Sequence, residues 1–118
     1  MTKIYFKKHE RIVDGQSGPV VLALCDAELI GKKLSQGKLL LDLDAYRSFY
    51  AGELVTAVEA ARLVKKCFSE TATTSTSARQ SISLNLVGKN SLKAAASYVD
   101  VKKAKLIGKV PHLQVYRV

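Results

Sequence analysis

A turn with phosphate-binding character lies in the segment Asn-Leu-Val-Gly-Lys-Asn-Ser, which ends at Ser91. An alternating apolar run precedes Gly88 and a helix-forming segment follows it, so the pattern predicts a strand, a turn and a helix. Such a turn points free backbone amides at a ligand, beside the positive end of the helix dipole, and Lys89 adds a charge. A Walker A loop is excluded, because Ser83 and Asn90 stand where it requires a glycine and a hydroxyl residue. The turn is interpreted as a contact for RNA phosphate or as a plain glycine turn before a capped helix.

Positive charge is concentrated in the C-terminal half of the chain, whose net charge is +9. Residues 1–59 carry eight basic and eight acidic side chains, whereas residues 60–118 carry eleven basic and two acidic ones. This asymmetry is typical of a nucleic-acid-binding face; the alternative is a basic chain with scattered, solvated lysines. We expect RNA phosphate contacts that weaken with salt. The candidate contacts are Lys102, Lys103, Lys105 and Lys109 in the densest run, joined by Arg79, Gly88, Lys89, Ser91, Lys93, His112 and Arg117.

The other side chains that could take part in chemistry give weak support for any specific reaction. His112 is a candidate general base or RNA contact, although a lone histidine on a strand is more often structural. Tyr98 and Tyr116 are candidates for stacking on unpaired bases or for packing in the core. Cys25 and Cys67 have no metal-ligand spacing and are interpreted as buried free thiols. We therefore predict no catalytic residues, no metal and no cofactor.

The elements that must position these residues alternate between strand and helix patterns. Strands are predicted at residues 3–8, 20–25, 38–43, 81–87 and 110–118, and helices at 27–35, 53–68 and 92–99. Asp26 is the expected N-cap of the first helix, Ser91 the cap of the third, and Lys65 and Lys66 suit the C-terminal dipole of the second. A turn is expected at 14–19, an aromatic connector at 44–51 and a Ser/Thr-rich connector at 69–80.

The order of the elements predicts one compact domain spanning residues 1–118. Its class is α/β, with α+β as the alternative, and it combines a mixed sheet of four to five strands with about three helices. No apolar run reaches the roughly 18 residues of a membrane span. The N-terminus is charged within an alternating pattern, unlike a signal peptide. We expect a cytoplasmic protein that does not bind membranes.

Four stretches carry a resemblance that covers nearly the whole chain. They are residues 25–32 (Cys-Asp-Ala-Glu-Leu-Ile-Gly-Lys), 49–53 (Phe-Tyr-Ala-Gly-Glu), 85–88 (Asn-Leu-Val-Gly) and 110–115 (Val-Pro-His-Leu-Gln-Val). In this order they resemble an archaeal family known only as domain of unknown function 424. The resemblance implies an archaeal cytoplasmic protein of α/β fold and supplies no catalytic residues. It also makes association with the translation apparatus an expectation.

The leading expectation is a non-enzymatic RNA-binding protein that docks on the archaeal ribosome and contacts ribosomal RNA. Ribosomal proteins are candidate further partners, and no small-molecule substrate is expected. One alternative is a small nucleotide- or phosphate-binding enzyme, which requires a pocket joining the Gly88 turn to His112. A second alternative is a protein-interaction adaptor that uses the rings of Tyr46, Phe49 and Tyr50.

Overall fold

The structure, a computed structural model, describes residues 3–13, 16–73 and 82–116. Its strands are β1 (Lys3–Val13), β2 (Gln16–Asp26), β3 (Lys33–Gln36), β4 (Leu39–Asp42), β5 (Glu53–Thr56), β6 (Ile82–Val87), β7 (Lys105–Ile107) and β8 (Val110–Tyr116). Its helices are α1 (Arg47–Tyr50), α2 (Ala57–Thr73) and α3 (Lys89–Ala94), with short 3-10 turns at Ala27–Leu29 and Val101–Lys103.

Six strands form one mixed sheet in the order β5-β1-β2-β6-β8-β7. β2 and β6 run parallel, and the remaining neighbouring strands are antiparallel. β3 and β4 form a separate two-stranded sheet. The fold is therefore α+β in a single compact body, with one more strand in the main sheet than the upper expected number.

The sheet carries a hydrophobic core on each face, because alternate residues of β2 and β6 are buried on opposite sides. Leu22, Leu24 and Leu86 pack on one side with residues of α2 and α3. Cys25 and Val87 pack on the other side with the segment that runs from the first 3-10 turn through α1. The prediction that residues 20–25 form a strand is confirmed, and both faces of this strand are covered.

The long helix begins later and ends later than predicted. Thr56 and Glu59 form a reciprocal capping box: Glu59 N donates to Thr56 Oγ1 at 3.2 Å, and Thr56 N donates to Glu59 Oε1 at 3.3 Å. This arrangement satisfies free amides at the start of α2. Residues 53–56 instead pair with β1, where Leu54 lies opposite Tyr5. α2 continues to Thr73, into the predicted connector, and residues 74–81 lie outside the described part.

The predicted helix at 27–35 is wrong. Only the 3-10 turn Ala27–Leu29 forms, and the backbone then takes a positive φ of 89° at Gly31. The following residues extend into β3, where Leu34 pairs with Leu41 of β4. The strand expected at 38–43 is present, but it pairs with β3 outside the main sheet. Asp26 makes no side-chain cap to the turn, because its carboxylate is bound elsewhere.

The remaining differences are local. β2 begins at Gln16, within the predicted turn, of which residues 14 and 15 lie outside the described residues. The aromatic connector contains the one-turn helix α1. α3 begins at Lys89 after Gly88, which occupies the cap position, and ends at Ala94, so Ser91 lies inside the helix and does not cap it.

Candidate nucleic-acid interface

Nine basic side chains on described residues after position 60 are all exposed. We call this set the basic surface; it comprises Arg62, Lys65, Lys66, Lys89, Lys93, Lys102, Lys103, Lys105 and Lys109. They lie on α2, on α3, in the second 3-10 turn, on β7 and in the β7–β8 turn. These elements are contiguous, since α2 packs on α3, α3 packs on β8, and β8 pairs with β7.

The basic surface has almost no opposing charge. Of the acidic side chains after residue 60 that the structure describes, only Asp100 is present, and it accepts the Lys102 N–H at 3.1 Å as the N-cap of the second 3-10 turn. The ion pairs in the described part of the chain join Lys8 to Glu10 and Arg47 to Asp44, all in the N-terminal half. The cations of the basic surface are therefore exposed and form no ion pair with a described residue, which leaves them accessible to an anionic partner.

Three cations of this surface were not among the predicted contacts. Lys65 and Lys66 were attributed to the dipole at the end of a helix over 53–68, but α2 runs to Thr73 and its last turn holds no basic residue. Together with Arg62, they project from the middle of α2, where the helix dipole does not stabilise a positive charge. The Thr-x-x-Glu sequence at Thr56–Glu59, which starts the helix late, was the available signal.

The β7–β8 hairpin presents Lys109 at its tip. Gly108 and Lys109 have φ values of 57° and 69°, so both central turn residues have the positive φ of the turns that suit a two-residue hairpin. A lysine with positive φ is uncommon. The turn places Lys109 outside the sheet, exposed to solvent.

Two amides after Gly88, those of Asn90 and Ser91, are already bound to a carboxylate of the chain. Asp26 is 2% exposed. Its Oδ1 accepts from Ser91 N and Ser91 Oγ, both at 2.8 Å, and its Oδ2 accepts from Asn90 N at 3.2 Å and Asn90 Nδ2 at 3.1 Å. Gly88 N donates to the Pro111 carbonyl at 2.9 Å. The position that a phosphate would take at the start of α3 is thus filled by Asp26.

The absence of a side chain at Gly88 makes this contact possible. An added Cβ would lie 2.3 Å from Asp26 Cγ, and the backbone has φ 103° and ψ 151°, a region restricted essentially to glycine. Gly88 and Ser91 are buried, whereas Lys89 and Lys93 are exposed. Only the two lysines of the predicted turn and helix therefore reach the surface.

A second polar cluster lies on the opposite face of the sheet. Asn85 Oδ1 accepts the Tyr50 hydroxyl at 2.8 Å and lies 3.2 Å from His112 Nε2. Burial lowers the pKa of His112 from 6.5. Tyr50 packs in the core on the β3–β4 side, whereas α3, which holds Ser91, packs in the core with α2. Ser91 and His112 therefore do not form the shared pocket that the enzymatic alternative requires.

A pocket of about 210 Å³ adjoins His112 at the outer edge of β8. It is lined by Lys103, Lys105, His112, Leu113 and Gln114. Three of the predicted contact residues, Lys103, Lys105 and His112, are thus brought together around one concave surface.

The other candidate residues divide into packed and undescribed ones. Tyr98 stacks on Phe68 with ring centroids 4.2 Å apart, which favours the packing interpretation. Arg79, Arg117 and the side chain of Tyr116 lie outside the described residues. The three rings proposed for a protein-interaction adaptor differ in their exposure to solvent. Tyr46 is 60% exposed, Phe49 is half-buried and Tyr50 is buried.

Neither cysteine forms a disulfide; Cys25 is buried and Cys67 is half-buried. Burial, and then the Asp26 charge, raise the pKa of the Cys25 thiol to about 12. Within residues 3–13, 16–73 and 82–116, no three His, Cys, Asp or Glu side chains lie together as a metal site would require. Over the same residues, no helix has the length and apolarity needed to cross a membrane.

The fold and surface thus define a small α+β domain with a basic flank. Residues 15–118 match a family described as protein of unknown function (DUF424), and the chain belongs to that family. It is also similar to an uncharacterized conserved protein from Methanopyrus kandleri, whose crystal structure superposes with a TM-score of 0.78 over 98% of this chain and 92% of that one. The two sequences are 24% identical, so this likeness establishes the fold. No curated protein matches the chain significantly.

Proposed function

We propose that this protein is a non-enzymatic, cytoplasmic RNA-binding protein that contacts RNA phosphates through the basic surface. We further propose that the RNA is ribosomal, and that the protein acts in association with the ribosome. The observation that supports RNA binding is the set of nine exposed cations after residue 60, where Asp100 is the only acidic side chain that the structure describes and serves as a cap.

Unneutralised charge of one sign creates a field that attracts a polyanion and raises its association rate. Each phosphate neutralised by a lysine or arginine also releases condensed counterions, which favours binding at low salt. An anionic membrane fits less well, because membrane-surface helices need an exposed apolar face. On α2 the apolar residues Ala60 and Val64 are fully buried in the core, and Val58 is the one large apolar side chain of the described part of this helix that is exposed.

Two triple variants with equal charge change test the proposal. The first is Lys102→Gln with Lys103→Gln and Lys109→Gln; the matched control is Lys32→Gln with Lys33→Gln and Lys38→Gln. All six lysines are exposed, so neither triple disturbs the core. We expect the first triple to weaken binding to a fluorescently labelled RNA in an anisotropy titration by about tenfold or more, since each phosphate contact contributes to a steep salt-dependent affinity. The control should stay within about twofold. Equal losses in both triples would contradict a localised interface.

Sedimentation of lysate from the source organism tests the ribosomal part. We expect the wild-type protein to co-sediment with a ribosomal particle at low salt and to dissociate as salt rises. The control triple should behave like the wild type, and the first triple should shift to the soluble fraction. A protein that binds RNA in solution but migrates with neither subunit would overturn the ribosomal assignment alone.

A further inference from the structure

The pocket at the outer edge of β8 lies beside Lys105, the first residue of β7. β7 pairs with β8 only between Lys105–Ile107 and Val110–His112. Among the residues that the structure describes, no strand pairs with the outer edge of β8 beyond His112. Main-chain N–H groups on such an open edge are available to a ligand. The pocket is therefore a concave site that adjoins an unpaired strand edge.

The side chains around the pocket are cationic or neutral, and none is acidic. Lys105 and His112 are cross-strand neighbours, and Gln114 follows two residues along β8, so all three share one sheet face. The second 3-10 turn adds Lys103. Lysine ammonium groups are donors only, and the glutamine amide supplies two further N–H groups. A ligand with several acceptor oxygens and negative charge complements this set.

The size and lining of the pocket favour one phosphate group over a whole nucleotide. The volume of about 210 Å³ is below that of most small-molecule sites, which begin at roughly 300 Å³. No aromatic ring of the described residues lines it apart from the His112 imidazole, so a base would lack the usual stacking platform. Two lysine side chains in the lining of one small pocket suit the oxygens of a phosphate.

The His112 imidazole, which lines the pocket, is held in place by a hydrogen bond to Asn85. The Tyr50 hydroxyl donates a hydrogen bond to Asn85 Oδ1 at 2.8 Å. The same oxygen lies 3.2 Å from His112 Nε2. With Oδ1 as the acceptor, Nε2 carries the proton that it donates. Tyr50 and Asn85 are therefore positioning residues that orient His112 against the pocket.

We propose that this pocket binds a single phosphate group of RNA, either at a chain end or within the backbone. The proposal rests on the RNA-binding function above for the owner of the phosphate. It adds a defined subsite to a basic surface whose other contacts are diffuse.

Nuclear magnetic resonance on the full chain tests the subsite with inorganic phosphate and with a nucleoside 5′-monophosphate, at an ionic strength matched with chloride. We expect saturable shifts of the backbone amides of Lys105, His112 and Gln114. Lys105→Gln and Gln114→Ala should each weaken phosphate binding by about tenfold, as expected for the loss of hydrogen bonds to a charged group. The matched control Lys33→Gln, on an exposed lysine, should stay within about twofold.

Two short RNAs of one sequence, with and without a 5′-phosphate, distinguish the sources of the phosphate. A preference for the phosphorylated RNA that Lys105→Gln abolishes assigns the pocket to a chain end. Equal binding of both, weakened by Lys105→Gln, assigns it to the backbone. Absence of saturable shifts with inorganic phosphate, or equal weakening by Lys33→Gln, overturns the subsite while RNA binding by the basic surface stands. If inorganic phosphate shifts the amides of the pocket but the protein binds neither of the two RNAs, the proposed RNA-binding function is overturned instead.

Discussion

The Asp26 carboxylate determines what the Gly88 turn does. A glycine turn before a helix is visible in the sequence, and its chemistry predicts an anion at the helix start. The anion turns out to be a side chain 65 residues away from Ser91. Residues so far apart in sequence meet only because β2 and β6 lie side by side in the sheet. A local pattern therefore identifies the turn but not the group that fills it.

Substituting glycine in two turns with positive φ compares a position surrounded by open space with one packed against Asp26. Gly37 has φ 61° and open space around a built Cβ, whereas at Gly88 the Cβ would overlap the Asp26 carboxylate. We expect Gly37→Ala to lower the free energy of unfolding by about 1–2 kcal/mol, the cost of a left-handed non-glycine residue. Gly88→Ala should cost about 3 kcal/mol or more, because the buried hydrogen bonds of Asp26 are also displaced. Urea denaturation measures both; equal costs would contradict the Asp26 contact.

The buried Cys25 thiol should be unreactive in the native protein. Its pKa of about 12 keeps it protonated at neutral pH, and the thiolate is the nucleophile. We expect an aromatic disulfide reagent at pH 8 to leave Cys25 unmodified until the protein unfolds, as read by mass spectrometry of the labelled peptides. Rapid native labelling of Cys25, with the fold intact by circular dichroism, would contradict its burial.

The raised pKa of Cys25 also makes the stability of the fold depend on pH in the alkaline range. The native pKa lies above the ordinary value of 9.0, so folding favours the protonated thiol. Its contribution to stability is complete below pH 9 and falls as pH rises toward 12, because the unfolded chain loses its proton first. Cys25→Ala should therefore flatten the decline of stability over this alkaline range.

At the scale of elements, the long helix was predicted to begin at residue 53, where the structure instead has the strand β5. Apolar residues from Leu54 to Val58 continue the helical stripe, so periodicity alone extends the helix backward. Pairing of residues 53–56 with β1 overrides that propensity, and the capping box then starts the helix. The failed helix at 27–35 has a similar cause, since Gly31 breaks the helix and Leu34 pairs with Leu41 across a hairpin.

The capping box of α2 gives a test at this scale. Thr56→Ala removes the hydroxyl that accepts the Glu59 N–H and donates to Glu59 Oε1. We expect a loss of about 1 kcal/mol in the free energy of unfolding, typical of a lost N-cap. Thr56→Ser keeps the hydroxyl and should cost a few tenths of a kcal/mol. A thermal or urea denaturation series measures both, and similar costs for the two substitutions would show that the hydroxyl is unimportant.

At the scale of the whole molecule, composition and alternation predicted the strands that form the centre of the sheet. Residues 3–8, 20–25, 81–87 and 110–118 all contain observed strands, and the first two belong to neighbouring antiparallel strands. Strand order was not predictable, because the parallel β2–β6 pair joins segments about 60 residues apart in the chain. The edge strands β5 and β7 have only four and three residues, too few for a period of two to be distinguished.

The charge asymmetry was visible in the sequence, but its physical form was not. The sequence counts charges without their partners, whereas the structure places the described cations after residue 60 at the surface and outside any ion pair with described residues. It also moves Lys65 and Lys66 away from the helix end. The polyanion hypothesis thereby acquires a definite surface and a definite set of variants.

The salt dependence of RNA binding tests the central claim most directly. Affinity for one single-stranded RNA is measured by anisotropy from about 50 to 200 mM salt for the wild type and for the two lysine triples. With six or more phosphates neutralised, log K should fall with log salt at a slope of about −4 or steeper. The Lys102, Lys103 and Lys109 triple should reduce the magnitude of that slope by about 2, from three lost contacts, and the Lys32, Lys33 and Lys38 triple should leave it unchanged. A wild-type slope near zero, or the same change in both triples, would contradict RNA binding through the basic surface.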